Sequence, residues 1–149
     1  MNFNKIADIR QNNELTQHQL AQIIGGNRVS ISNWENAREI PNITKANSIA
    51  DHFNVSLDYL FNLSKEKNYS NNKRCNINKK VVGKRLKELR ESNNLTLKKL
   101  ADILNTTPST IFSYEQGNTL LLTAFAIELC KRYKVSLDWL YGKKDTKNR

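Results

Sequence analysis

Residues 28–33 read Arg-Val-Ser-Ile-Ser-Asn, and the outward members of this run have chemistry suited to nucleic-acid base edges. Arg28 can donate two parallel hydrogen bonds to guanine, Asn33 can pair with adenine, and Val29 can pack on a thymine methyl. Ser32 lies beside them, while Ile31 and Trp34 fall on the opposite, apolar side. Eighty residues later the same register holds Pro108, Ser109, Phe112 and Ser113. This second set has less hydrogen-bonding reach. Phe112 has two readings, contact with a thymine methyl or contact with a protein partner.

Enzymatic chemistry is harder to assemble. The two histidines, His18 and His52, lack a matching Cys, Asp or Ser partner in any motif. No phosphate-cradling glycine loop and no dinucleotide fingerprint occurs. Cys75 stands in a polar stretch and Cys130 among apolar residues, which reads as two free thiols. The expectation is no enzyme, no cofactor, no metal and no small-molecule ligand.

An internal repeat sets the organisation. A shift of 80 aligns residues 1–60 with 81–140 without a gap, and fifteen of those sixty positions are identical. Among the identities are Arg10/Arg90, Leu20/Leu100, Ala21/Ala101, Ile31/Ile111, Glu35/Glu115 and Asp58/Asp138. Trp34/Tyr114 and Tyr59/Trp139 are aromatic in both. Apolar character persists where identity does not, the mark of a shared core.

Each copy reads as five short helices. Thr16 caps the second, with Gln19 three residues on to complete a capping box, and Thr96 caps its partner with Lys99 unable to complete one. The break at Gly25-Gly26 calls for a positive φ, which Asn105 supplies in copy two. Asn27 or Thr107 caps the third helix, and Pro108 takes a first-turn position where its missing N–H costs nothing. Asn42 or Thr44 opens the fourth, and Ser56 or Ser136 the fifth. Two helices joined by a short turn with glycine, and a small alanine where they cross, form a helix-turn-helix layout.

The fold expected is all-α: two tandem five-helix domains at 1–62 and 81–143. A flexible Asn/Lys-rich linker at 63–80 joins them, and a basic tail follows at 144–149. The Asn/Lys-rich stretch 61–80, about 20 flexible residues, would reach roughly 65 Å when stretched, enough for two half-sites about 34 Å apart.

The chain carries a net charge of +10, which points to an anionic partner such as nucleic acid. Yet residues 1–60 sum to −1, residues 61–80 to +5 and residues 81–149 to +6. Arg38 and Lys45 could grip phosphates in copy one, and Lys98 in copy two. Leu120, Leu121 and Leu122 are too apolar for a simple exposed loop and read either as packed or as a contact patch. The longest apolar run, residues 120–127, is far too short to span a bilayer, and the start has no apolar signal core. A cytoplasmic protein is expected, without membrane association. The high Asn, Lys and Ile content points to an AT-rich genome, hence to a bacterium or a phage.

The stretches "LTQHQLAQIIGGNRVSISNWE" and "LTLKKLADILNTTPSTIFSYEQG", followed by "NVSLDYL" and "KVSLDWL", resemble the Cro/repressor-type (XRE, lambda-repressor-like) helix-turn-helix family. The resemblance covers about 120 of 149 residues. It implies a double-stranded-DNA-binding transcriptional regulator, a repressor or an activator with repressor the expected sign, reading the major groove through its third helices. It implies phosphate contacts at Gln17 and at the caps Asn27 and Thr107. It also implies a structural salt bridge from Arg10 to Glu35 and from Arg90 to Glu115. Leu97 stands where Gln17 does and cannot make that contact. A second reading makes one copy a dimerisation or protein-interaction module, with a homodimer as partner, and leaves DNA to the other.

Overall fold

The computed structural model describes residues 4–149, and the chain divides into two compact units between Arg74 and Cys75. Among the described residues there are ten helices and no strands.

The first unit contains α1 (Ile6–Asn12), α2 (Gln17–Ile24), α3 (Arg28–Glu35), α4 (Ile43–Phe53) and α5 (Leu57–Leu60). Local chemistry sets each boundary. Thr16 and Gln19 form a reciprocal capping box, Asn27 accepts from the Ser30 N–H, Asn42 from Lys45 and Ser56 from Tyr59. Gly25 ends α2 at φ 68°. Ile6, Leu20, Ile31, Ile49, Leu57 and Leu60 are fully buried, each worth roughly 1.5–3 kcal/mol of transfer free energy.

The second unit repeats this plan with α6 (Lys79–Ser92), α7 (Leu97–Ile103), α8 (Pro108–Glu115), α9 (Thr123–Tyr133) and α10 (Leu137–Leu140). Asn105 takes the left-handed turn at φ 55°. Thr96 caps α7 alone, through the Lys99 N–H. Leu122 stands at the N-cap of α9 without a side-chain cap. The apolar run is split by the fold: Leu121 is buried, whereas Leu122 is exposed.

The units differ in the first helix. α6 has 14 residues against 7 in α1, because Asn78 caps it through the Lys80 and Val81 N–H groups. Gly83 then allows the helix to lie on the end of α8. A Cβ there would sit 2.5 Å from the Tyr114 carbonyl oxygen and 2.6 Å from that of Glu115. In the first unit the Asn4 amide instead donates to the Trp34 carbonyl at 3.0 Å.

The stretch expected as a flexible linker, 63–80, is largely absorbed into the two units. The Ser56 N–H donates to the Lys67 carbonyl at 2.6 Å. Tyr69 is buried, and its hydroxyl donates to Asp58 Oδ2 at 2.9 Å. Asn72, Lys73 and Arg74 line a small cleft with Ala50, Asp51 and Asn54.

Residues 144–149 are likewise not a loose tail. The Ser136 N–H donates to the Lys147 carbonyl at 2.8 Å, the counterpart of the Ser56–Lys67 bond. Arg85 donates to the carbonyls of Trp139 and Lys144. Two cations stand over the Trp139 ring, the Arg85 guanidinium 5.4 Å and the Lys147 ammonium 5.0 Å from its centroid. Lys5 stands 5.8 Å over Tyr59 at the corresponding place in the first unit. Composition misleads in both segments because lysine and asparagine backbone groups can satisfy a buried edge as well as any others.

Candidate nucleic-acid interface

α3 presents two faces. Ile31 and Trp34 are buried against the core, while Arg28 and Val29 are exposed, Val29 at 59%. Ser32 and Asn33 are half-buried on the outer side. An amphipathic eight-residue helix whose apolar stripe is consumed by the core leaves its first turn and outer edge available to a partner.

A clamp fixes the far end of α3. Arg10 donates to Glu35 through Nε at 2.7 Å and Nη2 at 2.9 Å, and through Nη1 to the Leu15 carbonyl at 2.8 Å. Gln17 Nε2 adds a longer bond to Glu35 Oε1 at 3.3 Å. The bond to Glu35 holds the Arg10 guanidinium above its ordinary range, opposed in part by burial. α1, the start of α2 and the end of α3 are thus tied at one point. In the second unit Arg90 makes the same fork to Glu115, at 2.7 and 3.0 Å, and bonds the Leu95 carbonyl at 2.9 Å.

Several side chains expected at phosphates have work inside the fold. Lys45 Nζ donates to the carbonyls of Ile24 and Gly25 at 3.1 and 2.8 Å, closing the C-terminus of α2. In this structure its ammonium is therefore engaged at the end of α2. The side-chain oxygens of Asn27 and Thr107 accept from the Ser30 and Thr110 N–H groups as caps. The Gln17 amide points at Glu35. Lys98 Nζ is 3.3 Å from Asp102 on an exposed helix face. Arg38 is exposed, and its N–H donates to the Asn33 carbonyl at 2.8 Å.

Copy two offers a different surface. Ser109 is exposed, Phe112 is 50% exposed and Ser113 is half-buried. From 103 to 127 the sole charged residue is Glu115, which is buried in the clamp. Where Lys45 closes a helix in the first unit, Phe125 meets the Tyr114 ring edge-on at 6.4 Å. The α8 face is therefore uncharged.

A tether that sequence reasoning missed follows each third helix. Asn33 Nδ2 donates to Glu39 Oε1 at 3.3 Å, and Ser113 Oγ pairs with Thr119 Oγ1 at 3.0 Å. The partners are again 80 residues apart, and the repeat register carried to 39/119 would have placed them.

Residues 6–60 match the helix-turn-helix family model, and residues 83–146 match a second one described as a helix-turn-helix domain. Fold and matches define a protein built from two helix-turn-helix domains. The chain belongs to the XRE-type helix-turn-helix family and carries two tandem copies of its domain. It is similar to the HTH-type transcriptional activator BcrR of Enterococcus faecalis, 38% identical over 61 residues. That match covers 40% of this chain and 30% of the relative, so the likeness is to a part of that protein. Among the described residues no helix is long and apolar enough to cross a membrane.

Proposed function

We propose that the chain is a sequence-specific double-stranded-DNA-binding regulator that reads the major groove with α3 of its first copy. The observation that carries this is the outward set Arg28, Val29, Ser32 and Asn33 on a helix clamped by Arg10–Glu35. A recognition helix gains discrimination only if its register on the duplex is held. Arg28 takes guanine and Val29 a thymine methyl. Arg38 and the α3 N-terminus take phosphates. Copy two adds affinity through Lys98 and the N-terminus of α8, and it places Ser109, Phe112 and Ser113 towards a second stretch of groove. The chain acts as a repressor, because occupancy of a promoter is by itself enough to block it.

A shift assay on duplexes from the chain's own promoter region, run across salt concentrations, tests this. Discrimination between sites by at least tenfold supports it. Equal affinity for all sequences, or no binding at moderate salt, overturns it. A reporter fused to the bound promoter gives the sign of regulation.

One observation favours a second reading. The uncharged α8 face, with Phe112 half exposed, is poorly matched to phosphate and suits a homodimer or protein contact. Light scattering with and without DNA separates the two. A dimer held by residues 81–149, with footprints that depend only on the first copy, would favour the second.

A further inference from the structure

We infer that Glu39 is a specificity-determining residue: with Asn33 it selects, at one base position, an edge bearing an exocyclic amine and rejects guanine. The inference rests on the proposed reading of DNA by α3 and deepens it.

The backbone after α3 returns so as to bring Glu39 beside Asn33. The N–H groups of Arg38 and Glu39 both donate to the Asn33 carbonyl, at 2.8 and 3.3 Å. Ala37, in the left-handed region at φ 58°, turns the chain back over the last turn of α3. The carboxylate therefore lies against the side chain of Asn33, 3.3 Å from its Nδ2. The second copy builds the same return, with the Asn118 N–H on the Ser113 carbonyl at 3.0 Å and the Ser113–Thr119 hydroxyl pair beside it. The fold makes the tether twice, and only the first copy puts a charge in it.

A carboxylate accepts hydrogen bonds and donates none. It pins the Asn33 amide with its NH2 towards Glu39, whereas an unpinned amide could flip to match either polarity. The pair then offers the base mainly acceptors: the free Glu39 oxygen and Asn33 Oδ1. Adenine N6 and cytosine N4 are major-groove donors, while guanine shows only the acceptors N7 and O6. Against guanine, acceptors face acceptors and a carboxylate loses water without compensation. Glu39 also repels phosphate at every sequence. A residue that weakens all binding yet stands beside the reading side chain discriminates by exclusion.

The test uses the full chain. Sites are selected from a random duplex library, and each base of the copy-one half is then varied singly. Wild type, Glu39→Gln and Asn33→Ala are titrated by fluorescence anisotropy at fixed salt. At one position wild type binds adenine or cytosine roughly 10- to 100-fold more tightly than guanine. Glu39→Gln supplies a donor, so it cuts that ratio about fivefold or more there, while affinity at all other positions rises together. Asn33→Ala erases the preference at the same position. A uniform rise with an unchanged base profile overturns the inference and leaves the proposed function standing. No base preference in wild type overturns both.

Discussion

The guanidinium of Arg10 grips both carboxylate oxygens of Glu35, and Arg90 grips Glu115 in the same way, each fork reaching a backbone carbonyl five residues on. The carboxylates are nearly dry, at 8% and 3% exposure. Removing the arginine strands a buried charge, which costs about 3–5 kcal/mol. Gln17 still reaches Glu35, whereas Leu97 offers Glu115 nothing. Arg90→Ala should therefore destabilise its unit more than Arg10→Ala does, and urea unfolding of each unit's reporter aromatic measures this. Equal losses would show that Gln17 contributes nothing.

Alkaline pH should unfold the second unit first. Burial raises the Tyr141 hydroxyl well above its ordinary value and raises Tyr114 to a lesser degree. A folded-state pKa above the unfolded one gives stability that is complete below about pH 10. It is lost as pH climbs towards the folded value. Copy one has Phe61 and Trp34 at these positions, which do not titrate. Phenolate absorbance and circular dichroism of the two units against pH check the order. Tyr141→Phe should reduce the alkaline sensitivity while losing the 3.0 Å hydroxyl bond to Leu121.

Gly83→Ala should destabilise the second unit by about 1–3 kcal/mol or more, because its Cβ would strike backbone oxygens of α8 that cannot rotate away. Gly26→Ala is the control. Its Cβ would meet only Ile24 side-chain atoms at 3.7 Å, at ordinary φ, and reduced unfolded-state freedom should make it neutral or stabilising by roughly 0.4–1 kcal/mol. Thermal melts decide both.

Lys45 and Lys98 should respond differently to removal. Lys45→Met takes two donors from the end of α2 and should lower stability by about 1 kcal/mol, with an unchanged salt slope of DNA binding. Lys98→Ala should leave stability within about 0.5 kcal/mol and reduce the salt slope by about one. Arg28→Ala should relax discrimination by about 1–3 kcal/mol at one base pair.

The return strap should be part of the first unit. Tyr69→Phe removes a hydroxyl from a buried carboxylate and should cost about 1.5–3 kcal/mol. A fragment ending at residue 62 should melt below one ending at 74. Coincident melts would show that the strap contributes nothing.

Much of the fold was legible because its signals are local. Caps at Thr16, Asn27 and Ser56 and the turns at Gly25 and Asn105 depend on neighbours within four residues, which the chain displays directly. The inward trio Ile31, Trp34 and Glu35 was visible in its repetition at 111, 114 and 115. The strap was less so, because a hydrogen bond from the Ser56 N–H to the Lys67 carbonyl leaves no residue-type signature. A faint one existed: Lys67-Asn68 recurs as Lys147-Asn148, and Asn62 and Gly142 both take positive φ.

The candidate site divides along the same line. Sequence by itself determined that there are two copies, which helices they contain and which side of α3 and α8 meets the core, since helical periodicity and capping are properties of short stretches. Tertiary structure decided what the remaining polar groups do. It set Lys45 against the closing carbonyls of α2 and Glu39 against Asn33, and drew Tyr69 and Lys147 onto their units. These outcomes depend on distances between residues far apart in the chain, or on backbone groups every residue shares. Side-chain type states what a group can bond, and only the packed fold settles which partner comes within about 3 Å.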